Sequence, residues 1–220
     1  MYDILLEIIL VAIGMALGGL VDISVDWLPP RLGVASPPPE NSGRRWRRLL
    51  RFAVIEVAMV VSALALYHRD GFSLIAGVGL LFVAAMLAAA VMDWRHMILP
   101  DLITLPGIAL GLGVIFLLRF PNWQDYLAGG AYAGGLLCVL NIAWRLILKK
   151  PAIGYGDMKL MAMVGLFVGL SRLFPIFLIA CGAAILVTAY RMIFEKATLQ
   201  TSVPIGAYLA VASAGVWICG

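Results

Sequence analysis

The sequence predicts an all-α, polytopic membrane protein with about eight transmembrane helices. Its 220 residues are 63% hydrophobic and 13% charged, whereas a soluble domain carries about 25% charged residues. Mean hydropathy is +1.02. Runs free of charge recur at membrane length, among them Phe72–Met92, Leu102–Leu118, Tyr126–Trp144, Leu173–Tyr190 and Val203–Gly220. A span needs roughly 20 apolar residues.

The first helix is expected at roughly 4–21 and contains Glu7. Acidic Asp3 and Glu7 stand where a cleavable signal would be basic, so this reads as a retained helix. Residues 22–51 follow, with Pro29, Pro30, the triplet Pro37–Pro39 and the basic run RRWRR. That composition reads as a cytoplasmic loop, mobile or flat on the headgroups. Residues 1–51 are thus taken as an N-terminal helix plus basic loop, and 52–220 as one membrane-embedded domain. The second helix, roughly 51–67, contains Glu56, and the third, 72–93, ends on Asp93. A fourth, 102–119, starts after the Leu-Pro-Asp of Leu99–Asp101; a fifth is placed at 126–147. The sixth, 157–170, opens on Asp157 and is short for a span, which sets its beginning in a wet cavity below the membrane surface. The last two are expected at 173–191 and 203–219. Glycine pairs at i, i+4 (Gly14/Gly18, Gly107/Gly111, Gly130/Gly134, Gly165/Gly169) mark faces where helices pack closely.

Basic residues orient the chain. With eight spans, all of the 16 Lys and Arg except Arg69, Arg119 and Arg172 fall on one set of loops. The positive-inside rule makes that set cytoplasmic and puts both termini outside. Asp93 and Asp157 then share the cytoplasmic side. The net charge of +4 is accounted for by basic loops beside anionic lipid, with no nucleic-acid partner. Cys138, Cys181 and Cys219 are scattered singly, so neither a zinc site nor a disulfide framework is read, and buried apolar roles are expected.

An acid at the end of an apolar segment is costly and therefore points to use. Two of them on one side suit hydrolysis by paired carboxylates. One, ionised, takes a proton from water; the other, protonated, polarises the scissile carbonyl. Asp157, in the first turn of its helix, sits where the dipole favours an anion, and Asp93 at a helix C-terminus where it does not. On that reasoning Asp157 is the base and Asp93 the acid. Gly154 and Gly156 are expected to supply backbone angles closed to other residues, beside an extended substrate. Lys159 either anchors to headgroups or tunes the pair.

These segments resemble the type IV prepilin peptidases, membrane aspartyl proteases of the GxGD class. Asp93–Gly107 (DWRHMILPDLITLPG) is similar to the first catalytic block of that family, and Gly154–Gly169 (GYGDMKLMAMVGLFVG) to the second. Val203–Ser213 (VPIGAYLAVAS) resembles its closing P-x-G element, and Gly18–Pro29 is a faded copy of its G-S-F-L-N segment. Asp22 replaces the Asn there, Trp27 the Arg, and the CxxC zinc-binding insert is missing. The resemblance makes Asp93 and Asp157 the catalytic pair, with Gly154, Gly156, Lys159, Asp101, Pro204 and Gly206 in supporting or substrate-binding places. Asp101 is the rival for the first acid, although a helix N-terminus already explains it. The implied activity is removal of a short basic leader from type IV pilin or pseudopilin precursors at the cytoplasmic face of a prokaryotic inner membrane. No cofactor is implied for cleavage; S-adenosylmethionine enters only with methylation of the new N-terminus. Partners are the precursors and the lipid bilayer.

Presenilin-like and archaeal preflagellin-type enzymes share GxGD, but T-L-P and P-x-G favour the prepilin type. A proton-coupled transporter using Asp93, Asp157 and Glu56 competes from another class. It predicts midplane acids on repeated, broken helices, which the chain does not display. A non-catalytic pilus or secretion assembly protein is the third reading.

Overall fold

A computed structural model describes residues 2–33, 42–117, 122–149, 154–194 and 203–220. Eight helices account for nearly all of them: α1 Tyr2–Arg31, α2 Ser42–Asp70, α3 Leu74–His96, α4 Asp101–Leu117, α5 Trp123–Leu148, α6 Tyr155–Val168, α7 Leu173–Phe194 and α8 Ile205–Cys219. Five are long and apolar enough to cross a membrane, and α4 and α8 are shorter apolar helices. The protein is a polytopic membrane protein, as the composition demanded. Leu5, Phe116, Leu186 and many other large apolar side chains lie exposed on its outside, which only a lipid surroundings makes inexpensive.

The most buried of the five long helices is α3. It is apolar all round, as a core helix must be. It packs on α1, α2, α4 and α8, while α6 packs on α4, α5 and α8. Phe82 of α3 stacks on Phe167 of α6 with ring centroids 4.6 Å apart, and Trp217 of α8 lies against both. The glycine pairs sit where the sequence placed them. Gly14 and Gly18 face Val60 and Glu56 of α2; Gly107 and Gly111 face Met163 and Leu166 of α6. On α5, Gly130 and Gly134 lie against Leu166 and Ala162. A methyl on any of these would push the helices apart.

The N-terminal third differs from its sequence reading. The described parts of the expected loop 22–51 are helical: α1 continues to Arg31 and α2 begins at Ser42. Pro29 and Pro30 fall in the last turn of α1, where the two missing N–H donors weaken only the end of the helix. The polar residues taken for a loop pair with one another across the helices. Arg51 donates to Asp22 at 2.6 Å and, with both terminal nitrogens, to Asp26 at 2.9 Å. Arg48 and Arg95 also pair with Asp26. Residue 51 therefore lies within a helix, and α1 and α2 pack on each other and on α3. The Pro37–Pro39 triplet, Arg119, Lys150 and Lys196 lie outside the described residues. The three cysteines are exposed rather than buried.

The ends of α8 carry opposite electrostatic roles. Arg69 donates to the carbonyl of Trp217, and Arg172 to that of Gly220 at 2.9 Å, so two cations sit on its C-terminus. Its N-terminus enters the region described next.

Candidate active site

Three helix ends meet around one glycine. α3 stops at Met97, which adopts φ 52, ψ 38 and returns its N–H to the Asp93 carbonyl at 2.8 Å. Pro100 then restarts the chain as α4, because it accepts the N–H groups of Ile103 and Thr104 while offering none itself. Asp93 is thereby held on the last turn of α3, 6% exposed. Its Oδ2 accepts the main-chain N–H of Ala207 at 2.8 Å, in the first turn of α8. Asp157 stands in the first turn of α6 and is half-buried.

Gly206 shows that the two carboxylates converge. A Cβ at that position would lie 2.7 Å from Asp157 Oδ1 and 3.0 Å from Asp93 Oδ2. The two oxygens can be no farther apart than the sum of those distances. Leu99 Cδ1 reaches the same point at 2.8 Å, so the glycine leaves room where two carboxylates and a leucine converge. Among the described residues, neither carboxylate pairs with a lysine or arginine.

The expected dipole asymmetry is not found. Asp93 ends its own helix, yet its side chain crosses to the N-terminus of α8 and meets an amide there. Both acids therefore enjoy a helix N-terminus, and the basis for assigning Asp157 as base and Asp93 as acid disappears. The glycines act differently from the expectation too. Gly154, the N-cap of α6, has φ −66 and ψ 142, open to any residue, and Gly156 lies inside the helix. What they provide is room. A Cβ on Gly156 would lie 2.8 Å from the Cβ of Leu99, and one on Gly154 3.2 Å from Asp157 Oδ2.

Lys159 is drawn away from the pair: its Nζ bridges both oxygens of Asp101 at 2.7 and 2.8 Å. Asp101 is exposed at the start of α4 and shares nothing with Gly206. Pro204 is buried and serves as the N-cap residue of α8, its carbonyl accepting the Ala207 N–H at 3.2 Å. It fixes where the amide that meets Asp93 emerges. One residue was not singled out from sequence. Leu99, in the Leu-Pro-Asp turn, packs against Gly156 and Gly206 together and so wedges the first turns of α6 and α8. Only its place before Pro100 could have signalled it.

Acids kept inside a membrane protein without cationic partners define a class: polytopic proteins that use buried carboxylates for chemistry or transport. Comparison with known sequences narrows the class. A profile described as the type IV leader peptidase family matches residues 80–189, a stretch holding both aspartates but ending before α8. The chain is 33% identical to a prepilin leader peptidase/N-methyltransferase of Stutzerimonas stutzeri, covering 74% of this chain and 56% of that protein. It is 36% identical to one of Burkholderia pseudomallei, over 77% and 55% of the two chains. With that of Escherichia coli it shares 30% identity over 76% of this chain and 72% of its relative. The chain belongs to the type IV leader peptidase family. It spans little more than half the length of the first two relatives. No solved structure matches it.

Proposed function

We propose that the protein is an intramembrane aspartyl endopeptidase, removing the short basic leader of type IV pilin or pseudopilin precursors. The observation that carries this reading is the meeting of Asp93 and Asp157 on either side of Gly206. Carboxylates this close share one proton, because both cannot ionise side by side. The ionised partner takes a proton from a water held between them. The resulting hydroxide attacks the scissile carbonyl carbon, whose oxygen takes a hydrogen bond from the protonated partner. Collapse of the tetrahedral adduct breaks the C–N bond, and the proton passes to the departing amine. Cleavage uses two carboxylates and water; S-adenosylmethionine belongs to a separate methylation step, which the relatives' names carry.

Location follows from charge. Arg69 and Arg172 sit at the far end of α8 from the aspartates, whereas Arg47, Arg48, Arg51 and Arg95 line a groove that reaches Ala207 beside Asp93. The aspartates therefore face the cytoplasmic side of the inner membrane, and both termini face out. Detergent-purified protein incubated with a synthetic precursor tests the reading. Leader release lost in both Asp93→Asn and Asp157→Asn supports it. Wild-type turnover in either variant overturns it.

A further inference from the structure

A deep groove opens between α2, α3, α7 and α8, with a cavity volume of about 1340 Å³. Its floor is apolar, built by residues such as Ala58, Leu87, Val211 and Val216. One mouth is cationic, carrying Arg47, Arg48, Arg51 and Arg95 against Asp26. Arg51 and Arg95 are engaged by Asp22 and Asp26. Arg47 has no acidic partner among the described residues, and the side chain of Arg48 is 53% exposed although it touches Asp26. Among the described residues, the mouth thus sets four arginines against Asp22 and Asp26, on the side where the aspartates lie.

We propose that this groove binds one anionic phospholipid, its phosphate on Arg47 and Arg48 and an acyl chain along α8. Charge complementarity selects the occupant. A peptide with a basic leader would be repelled at this mouth, whereas basic pockets between helices at the cytoplasmic surface take anionic headgroups. The groove follows α8 from Ala207 to Cys219, about 18 Å at 1.5 Å per residue, room for an acyl chain laid along its apolar floor. The groove is also lined by Ala207 and Tyr208, so a lipid seated there buttresses the turn whose amide holds Asp93.

The test reads binding, not cleavage, and so stands apart from the peptidase proposal. Full-length protein reconstituted in nanodiscs of mixed phosphatidylglycerol and phosphatidylcholine is released into mild detergent, and retained lipids are counted by native mass spectrometry. The wild type is expected to keep one phosphatidylglycerol with about tenfold preference over phosphatidylcholine. Arg47→Ala/Arg48→Ala should lose that preference, Arg47→Lys/Arg48→Lys should keep it, and Val211→Trp should lose retention of either lipid. Excess glycerol phosphate, a headgroup without chains, should not displace the lipid. Equal retention of both lipids by the wild type overturns the proposal even if a variant fails to fold. So does competition by glycerol phosphate, or displacement by a synthetic apolar helix carrying a basic leader.

Discussion

Asp22 and Asp26 on one side, and Asp93 and Asp157 on the other, are enclosed carboxylates handled in opposite ways. Glu56 of α2, whose Oε2 is buried with no hydrogen-bond partner among the described residues, belongs to neither pair. In the α1–α2 pair, Asp22 and Asp26 have side chains only 13% and 28% exposed, and arginines from α2 and α3 surround them. At the junction of α3, α6 and α8, Asp93 is 6% exposed and takes a backbone amide instead. Asp157 joins it across a glycine. Burial alone does not separate these regions, because Asp22 is nearly as enclosed as Asp93. The partners separate them. A carboxylate matched with arginine is fixed as an anion and serves architecture. One held by dipoles alone, beside a second acid, stays free to gain and lose a proton. Inside a membrane protein, the missing cation is the better sign of chemistry.

The comparison breaks most sharply at the unpaired acids. Under the proposed mechanism, Asp93→Asn and Asp157→Asn should each lower cleavage by at least about a thousandfold, since members of a joint catalytic unit fail together. Thermal midpoint should hold or rise, because each change removes an unneutralised buried acid and keeps the side-chain shape. A large drop in stability with cleavage intact would place these acids with the structural set.

Gly206→Ala is the next largest effect. The added methyl would lie within 3.0 Å of an oxygen from each aspartate. Forcing the pair apart by about an ångström should cost about a hundredfold in turnover. Binding of the precursor, measured with an uncleavable analogue, should change little. Unaltered turnover would mean that the two acids do not work through the space beside this residue.

Much of this was legible in sequence, and the exceptions share one cause. Asp93 and Asp157 stood out because each interrupts an apolar run, and the glycine stripes because i, i+4 spacing survives any detail of packing. The bounds of α1 and α2 were missed. Asp22, Asp26, Arg48 and Arg51 look like a loop when each charge is weighed alone, and their pairing across α1, α2 and α3 exists only in three dimensions. Pro29 and Pro30 strengthened that impression, although the last turn of a helix tolerates them. The role of Gly154 and Gly156 was misjudged for a similar reason. A glycine can serve by its angles or by its missing side chain, and only Leu99 against Gly156 tells which.

On the paired side, Asp26→Asn removes the carboxylate that Arg48, Arg51 and Arg95 share. Removing one partner of an enclosed pair costs about 3 kcal/mol. A lowered thermal midpoint in detergent is expected, with turnover per folded molecule within a few-fold of wild type. Loss of turnover at unchanged stability would instead give Asp26 a part in the reaction.

The smallest effect is expected where the regions meet in character, at Asp101 and Lys159. This pair lies near the aspartates in sequence, but its side chains are 57% and 37% exposed. An exposed ion pair contributes about 0.2–1 kcal/mol. Its Coulomb energy is weakened by water, and holding the long lysine in place costs side-chain entropy. Lys159→Ala and Asp101→Asn should therefore each shift the unfolding midpoint slightly and leave cleavage near wild type. If Lys159 tuned the acid pair, its loss would move the pH profile of turnover, which a surface role does not. A displaced profile in Lys159→Ala, with Asp101→Asn normal, would join this lysine to the unpaired acids. Complete loss in Asp101→Asn would make Asp101, not Asp93, the partner of Asp157.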